Sequence, residues 1–502
     1  MSMTEPLTVL KAELMNRVVP QVLEQLESAL HGGKALHQVE QTLWDTLLQI
    51  GRHALGAFLK AHGSGDQGAT MTWPDGQEVK RLEQRHSRRY VSIFGEFTLQ
   101  RTVYGSREGQ AISYVPLDNR LQLPASVFSY VLQDWDQALA VEQAFGQVSQ
   151  TIERMLHLRQ SVDSLETMNQ QMAEEVAAFR ELQPAPPAAE EGALVVVTAD
   201  CKGIVIRGQG TPTVCGGQRP AGTRANQKRM AAVGAVYTVD PYVRTPAEVV
   251  AALFRDPDYE PERRPAPCHK QVWASLPQTT PEPQSSIDVV FGWLQWEFAQ
   301  RNPQCRRATA HLCDGQEALW TACAAYLPDE NAVQILDLLH VTPRLWEAGK
   351  LLYGERGAEV VPFVRHRLTQ ILSGQVETVI RGLRRLAEER KLSGAKKKAL
   401  HRINSYLSKN RVRMRYDEYL RAGYPIASGV IEGACRHLIK DRLERAGMHW
   451  TLDGAQAMLD VRSVSIADQW EDYQTYRIGL ETERLYPHRD LVAGEPYFAL
   501  AV

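Results

Sequence analysis

Residues 193–200, Ala-Leu-Val-Val-Val-Thr-Ala-Asp, constrain the fold of this chain more than any other stretch. Five of the six residues after Gly192 are apolar and do not alternate with polar ones, as in a strand covered on both faces. Such a strand needs helices on either side, which sets an α/β layered core. The run then ends on a carboxylate. An acid at the edge of an apolar strand is costly unless a cation or a donor faces it, so Asp200 marks a candidate site.

The residues that follow supply the rest of a sheet. Residues 203–208 (GIVIRG) and 229–241 (RMAAVGAVYTVDP) read as two more strands, and 285–302 as an amphipathic helix. Residues 306–315 (RRATAHLCDG) read as a strand ending in Asp-Gly, 316–327 as a helix, and 332–340 (AVQILDLLH) as a strand running into another helix. Three strands, then alternating helix and strand, is the order of a ribonuclease-H-like α/β domain. Residues 193–343 and 421–465 are expected to form it, with a basic helical insertion over 344–420 and a tail over 466–502. The proline-rich segment 255–283 is expected to be an irregular loop.

Residues 181–192 (ELQPAPPAAEEG) contain three prolines and read as an extended linker. The 1–180 region before it reads as helices, a β-hairpin over 88–105 turning near Gly95, and helices again over 124–180. There Ser149 and Ser161 are candidate helix caps. Short helices with polar starts suit a helix-turn-helix-like DNA reader, although the helices by themselves favour a plain helical bundle.

No segment approaches the roughly 20 apolar residues that cross a bilayer, and the N-terminus lacks a basic region followed by an apolar core. A cytoplasmic protein with no membrane partner is expected. The seven cysteines (201, 215, 268, 305, 313, 323, 435) are odd in number and scattered, without a Cys-x-x-Cys pair. That pattern argues against a disulfide framework and against a structural zinc cage.

The formal net charge is only −2, but charge is unevenly spread. Residues 381–415 hold thirteen Lys or Arg and two Glu, among them Arg384, Arg385, Lys396, Lys397, Lys398, Arg402, Arg411, Arg413 and Arg415. A solvated helical face is the plain explanation of a charge run. So one-signed a run instead favours an anionic partner, with nucleic acid the commonest.

Three acids stand at corresponding places in this fold order. Asp200 ends the first strand, Asp314 ends the fourth, and Glu432 lies in the first turn of the helix over 430–447, flanked by Gly429 and Gly433. Each has an ordinary alternative as a turn residue or a helix-dipole partner. Together, in a ribonuclease-H-like sheet, they would meet although 114 and 118 positions separate them. Three unpaired carboxylates repel, and divalent cations with oxygen preference relieve the conflict, so two Mg²⁺ ions are expected, with Mn²⁺ the alternative.

At these residues the chain resembles a known family. The stretches "KRMAAVGAVYTVDPYVRTPAEVV", "HLCDGQEALW", "ILDLLHVTPRLWEAGKLLYG", "RMRYDEYLRAGYPIASGVIEGACRHLIKDRLERAGMHW" and "GAQAMLDVRS" look like bacterial insertion-sequence transposases of the ISKra type, themselves similar to ISLre-type and Mutator-like transposases. The resemblance extends to the hairpin over 88–105. It implies a DDE triad of Asp200, Asp314 and Glu432 that binds the metal, and cleavage and joining of element ends. It also implies element terminal inverted repeats and target DNA as partners, and a homo-oligomer on that DNA.

Related transposases carry Cys or Asp, two residues, then His after the next strand. Here that motif is Asp337-Leu338-Leu339-His340, which makes Asp337 a rival for the second ligand. Asp314 is preferred because Gly follows it where the fourth strand should end. Asp337 and His340 are then expected nearby, orienting metal, water or phosphate. Arg436, one turn beyond Glu432, is expected to meet the scissile phosphate or neutralise the acids. Arg442 and Trp450 either contact DNA or pack. Some relatives carry a small zinc ribbon in the hairpin region. Residues 1–200 here contain no cysteine, so none is expected.

Overall fold

The computed structural model describes residues 5–72, 78–84, 86–105, 112, 114–207, 226–278, 282–327, 329–445 and 447–487. Cys215 and the end of the expected tail lie outside the described residues. The chain divides into two compact units, Met1–Met172 with Glu471–Val502, and Ala173–Trp470. Among the described residues no helix is long and apolar enough to cross a membrane.

The first unit opens with helices α1 (Glu5–Glu13), α2 (Val19–His31) and α3 (Leu36–Ala61). Strands β1 (Thr70–Thr72), β2 (Glu78–Arg81), β3 (His86–Ser92), β4 (Gly95–Arg101) and β5 (Tyr104–Gly105) follow, then helices α4 (Pro116–Leu121), α5 (Tyr130–Ala140), α6 (Phe145–Leu156) and α7 (Val162–Ala173). β3 and β4 form the expected hairpin, with Ser92 opposite Gly95. Gly95 takes φ 121°, which a side chain would strain. Asp118 of α4 ties the two strands, accepting from Arg88 at 2.9 Å and Arg101 at 2.5 Å.

Ser161 caps α7 as expected, its Oγ accepting the Ser164 amide at 3.1 Å. Ser149 instead lies inside α6, where its hydroxyl donates to the Gln160 carbonyl at 2.6 Å. The expected tail also differs. It contains a helix, Trp470–Leu485, whose buried Tyr473 hydroxyl donates to the Met172 carbonyl. The apolar and aromatic positions of that helix are sparse, so its packing partners could not be read from its own pattern.

The second unit begins with α8 (Val176–Glu181) and then alternates β6 (Leu194–Arg207), β7 (Asn226–Val239), α9 (Pro246–Phe254), β8 (Cys268–Ser275), α10 (Ser286–Arg301), β9 (Ala308–Cys313), α11 (Glu317–Tyr326) and β10 (Val333–Leu336). The five strands form one mixed sheet in the order β10-β9-β6-β7-β8. β6, β7 and β8 pair antiparallel, while β9 and β10 run parallel to β6. Most Val, Leu and Ile residues of the sheet are covered; Val195, Val196, Val236, Ala310, Leu312 and Ile335 have no accessible surface. Each buried side chain of Val or Leu size contributes about 1.5–3 kcal/mol. Helix α10 lies against β7 at Gly234, where a Cβ would stand 2.7 Å from Val290 Cγ1.

Two strand expectations change. β6 does not stop at Asp200 but continues to Arg207, because its antiparallel pairing with β7 runs unbroken from Leu194–Val239 to Arg207–Asn226. The expected strands at 193–200 and 203–208 are therefore one. The third antiparallel strand is β8, inside the segment expected to be irregular. Prolines precede it, but Val272 and Ala274 are buried in register against β7. The linker also ends differently: the Glu191 carboxylate is buried and holds Arg301 of α10 through two bonds of 2.6 and 2.7 Å.

After β10 come α12 (Leu338–Tyr353), α13 (Val360–Leu372), α14 (Val376–Glu389), α15 (Gly394–Asn410) and α16 (Tyr416–Arg421). They cover the segment 344–420 expected to be a helical insertion, with α12 starting before it at Leu338. In α14, Val376, Val379, Ile380 and Leu383 face the core while Arg381, Arg384 and Arg385 are exposed, the spacing of a 3.6-residue period. The chain then returns through α17 (Gly429–Ala434), a π-helical turn (Cys435–Lys440), α18 (Asp441–Leu443) and α19 (Leu452–Ile466). The single helix expected over 430–447 is thus interrupted by a wider turn, a feature that often accompanies functional sites.

Candidate metal centre

The parallel pairing of β6 with β9 ends at Ala199–Cys313. Asp200 and Asp314 are the next residue on each chain, so the register alone brings the two acids to one edge of the sheet. Asp200 Oδ1 accepts the Cys201 amide at 2.7 Å, and its Oδ2 accepts the Cys435 thiol at 3.5 Å. Asp314 Oδ1 accepts the Gln316 amide at 2.7 Å, closing a turn over Gly315. Gly315 is required there: a Cβ would stand 2.3 Å from Cε2 of Tyr406 on α15.

Burial raises the Asp314 carboxyl above the ordinary aspartate value. The Gln316 amide opposes this, the charges of Asp200 and Asp337 add to it, and His340 subtracts from it. The same crowding acts on the neighbouring Cys201, whose thiol is pushed up to about 12 by burial and then by Asp200 and Asp314. The Tyr406 phenol is likewise raised to about 12, by burial first and Asp314 second.

Asp337 has a structural task. It is buried and caps α12, its Oδ1 accepting the Leu339 amide at 2.8 Å. Its Oδ2 accepts the Ser428 hydroxyl at 2.6 Å, and the Ser428 amide approaches Oδ1 at 3.4 Å. The Asp337 amide donates to the Cys313 carbonyl and the Leu338 amide to the Ile426 carbonyl, both at 2.9 Å. Asp337 thus fastens the start of α12 both to the end of β9 and to the segment leading into α17. Asp337, expected as a rival ligand, lies outside the group of three, Asp200, His340 and Glu432, whose ligand atoms converge.

That fastening brings His340, in the first turn of α12, beside Glu432 of α17. His340 Nε2 lies 3.3 Å from Glu432 Oε1 and 4.0 Å from Asp337 Oδ2. Asp200, His340 and Glu432 each offer one ligand atom, and these three atoms lie within 4.8 Å of one another. Two carboxylates and an imidazole at that separation fit a divalent cation. Asp314 stands outside this group of three, next to Asp200. Gly429 and Gly433 border the acid on an open side: a Cβ on either would meet nothing closer than His437 Cδ2 at 3.9 Å.

The remaining expected residues separate. Arg436 is exposed, and its Nε lies 3.6 Å from Asp441 Oδ2. It lies in the π-helical turn that starts at Cys435, and its ion-pair neighbour is Asp441. Arg442 is fully buried, 4.9 Å over the ring of Trp450, whose own Nε1 donates to the Leu443 carbonyl at 3.2 Å. The packing alternative therefore holds for Arg442, and its expected role as a DNA contact is corrected. Arg413 also turns inward, donating from Nε to Gln334 Oε1 at 2.9 Å with its guanidinium 4.2 Å over Trp320.

Arg384, Arg385, Lys396, Lys397, Lys398, Arg402, Arg411 and Arg415 are exposed. Arg385, Arg411 and Arg415 have acidic neighbours in Glu389, Glu377 and Glu418 at 3.2, 3.9 and 3.1 Å. For Arg384, Lys396, Lys397, Lys398 and Arg402 no acidic partner lies within ion-pair distance among the described residues.

Sequence reasoning missed Ser428, Cys435, Tyr406 and Arg344. Arg344 follows His340 by one turn of α12 and stacks on Tyr406 at 5.2 Å. Only the i, i+4 spacing from His340 carried a signal for it. Ser428, Cys435 and Tyr406 meet residues roughly 90 or more positions away, and no local pattern announces such contacts. No protein-family model and no curated protein matches this chain.

Proposed function

We propose that this chain is a DNA transposase of the bacterial insertion-sequence type, with a ribonuclease-H-like catalytic unit that cleaves element ends and joins them to target DNA. One observation carries the reading: Asp200, Asp314, His340 and Glu432 gather at one edge of a sheet ordered β10-β9-β6-β7-β8. That strand order, with three antiparallel strands followed by two parallel ones, is the one the sequence resemblance implies.

Asp200 and Glu432 would hold a divalent cation, with Asp314 beside Asp200 serving a second. When bound, such ions activate an attacking oxygen and neutralise charge on the phosphoryl group. The protein's own groups set the stage for that chemistry. The Cys201 amide and the Cys435 thiol fix the Asp200 carboxylate. Asp337 and Ser428 hold the segment that presents Glu432. The exposed cations of α14 and α15 would bind phosphates and position the duplex. Two element ends must be processed together, so an oligomer on DNA and terminal inverted repeats as substrate belong to the same reading.

The test is a strand-transfer reaction with a pre-cut element end and a target plasmid in Mg²⁺. Joined product is expected from the wild type. Asp200→Ala, Asp314→Ala and Glu432→Ala should each abolish it while still binding end DNA. Cleavage without joining would replace the proposal with a nuclease. DNA binding with neither cleavage nor joining would leave a non-catalytic DNA-binding protein.

A further inference from the structure

We infer that His340 is a direct ligand of the ion held by Asp200 and Glu432, and that the site therefore selects a cation that accepts a nitrogen donor more readily than Mg²⁺ does, such as Mn²⁺. The inference rests on reading the site as a metal centre and goes beyond the three-acid set the sequence suggests. The group whose ligand atoms converge within 4.8 Å contains an imidazole, and Asp314 is not in it. His340 Nε2 faces Glu432 Oε1 at 3.3 Å, a separation that a shared cation or a shared proton can bridge.

The ring is held for this task. Asp337 caps the helix that carries it, and His340 lies three residues after that cap. Its side chain is about one third exposed at 31%, so an ion and its water can reach the nitrogen without rearrangement of the core. Asp314, beside Asp200, has Oδ1 engaged by the Gln316 amide and lies outside the group of three.

Donor chemistry then decides the ion. Mg²⁺ prefers an all-oxygen shell and keeps most of its water, whereas an imidazole nitrogen raises affinity along the series from Mn²⁺ upward. Two carboxylates and one neutral imidazole with open positions suit a cation that accepts both nitrogen and oxygen.

The probe is Mn²⁺ itself, added to the full-length protein. Pulsed EPR of the Mn²⁺-loaded wild type should show modulation from a directly bound ¹⁴N. His340→Gln, which keeps a polar side chain of similar length, should lose that modulation. In His340→Gln the Mg²⁺ concentration that displaces half of the Mn²⁺ should fall by roughly tenfold or more. Asp200→Asn should weaken Mn²⁺ binding with His340 left in place.

Mn²⁺ bound without nitrogen modulation overturns the inference. So does modulation that persists in His340→Gln, an unchanged Mg²⁺ competition, or no Mn²⁺ binding by the wild type. Strand transfer run in Mg²⁺ on the same preparations keeps the two readings apart. Joining without nitrogen coupling would sink only the ligand assignment. Nitrogen coupling without cleavage or joining would sink only the transposase reading.

Discussion

Arg301→Met should destabilise the second unit by about 3–5 kcal/mol, the usual result of stripping one partner from a buried ion pair. Arg301 is inaccessible to solvent, and so is nearly all of the Glu191 side chain it holds. Its Nε and Nη2 donate to the two Glu191 oxygens at 2.7 and 2.6 Å, and its Nη1 donates to the His269 carbonyl at 2.8 Å. Methionine fills similar volume but leaves the Glu191 carboxylate buried with only the Thr238 hydroxyl as a donor. Glu191 lies three residues before β6, so the loss falls on the strand that carries Asp200.

The sign of the pH dependence follows. Burial alone would raise the Glu191 carboxyl, but Arg301 and Thr238 outweigh it and hold it below the ordinary glutamate value. A depressed folded-state value contributes stability above the unfolded value of about 4.3 and loses it as pH falls through the folded value. In Arg301→Met that contribution is gone, so the gap between wild type and variant should narrow as acid protonates Glu191. Urea midpoints read by tryptophan fluorescence at neutral and acid pH measure this. Arg301→Met with Glu191→Leu should recover much of the loss, since the lone buried charge is removed. A single-variant loss below about 1 kcal/mol, or a double variant whose loss is the sum of the singles, would refute the reasoning.

Gly315→Ala should cost about 1–3 kcal/mol by overpacking against Tyr406 and should depress cleavage further; in a Tyr406→Ala background the added cost of Gly315→Ala should vanish. Replacing Lys396, Lys397 and Lys398 with alanine should lower the slope of log DNA affinity against log salt by up to about 3, whereas Arg442→Ala should lower the melting temperature and leave that slope unchanged. Burial pushes the Asp136 carboxyl up to about 7, with the Gln160 amide opposing. The folded first unit thus holds a proton that the unfolded chain releases near pH 4, so its stability should decline as pH rises from about 4 to 7. Asp136→Asn should flatten that decline in urea titrations.

Legibility followed the range of the interaction. The apolar run over 193–200 and the strand ending at Cys313 were readable because their continuous apolar composition matches cover on both faces, and α10 because its buried residues recur at helical spacing. The Ser161 cap and the Gly95 turn were readable because their chemistry is complete within a few residues. β8 was hidden because its local composition is proline-flanked and mixed, and only pairing with β7 makes it a strand. The helix Trp470–Leu485 was passed over as a tail because three of its four buried residues, Gln474, Arg477 and Thr482, are polar. Asp337 was weighed as a ligand from its spacing to His340. Its engagement with Ser428 depends on a partner 91 positions away.

By itself the sequence determined that a strand buried on both faces leads into an acid, that further acids follow at strand and helix ends, and that positive charge gathers in one helical stretch. Side-chain type and near-neighbour spacing are sufficient for those. The tertiary structure decided which donors converge. Parallel register set Asp200 beside Asp314, the cap at Asp337 turned His340 toward Glu432, Arg436 paired with Asp441, and Arg442 sank against Trp450. Those outcomes depend on register, packing and the close of distant chain segments, which no local pattern encodes.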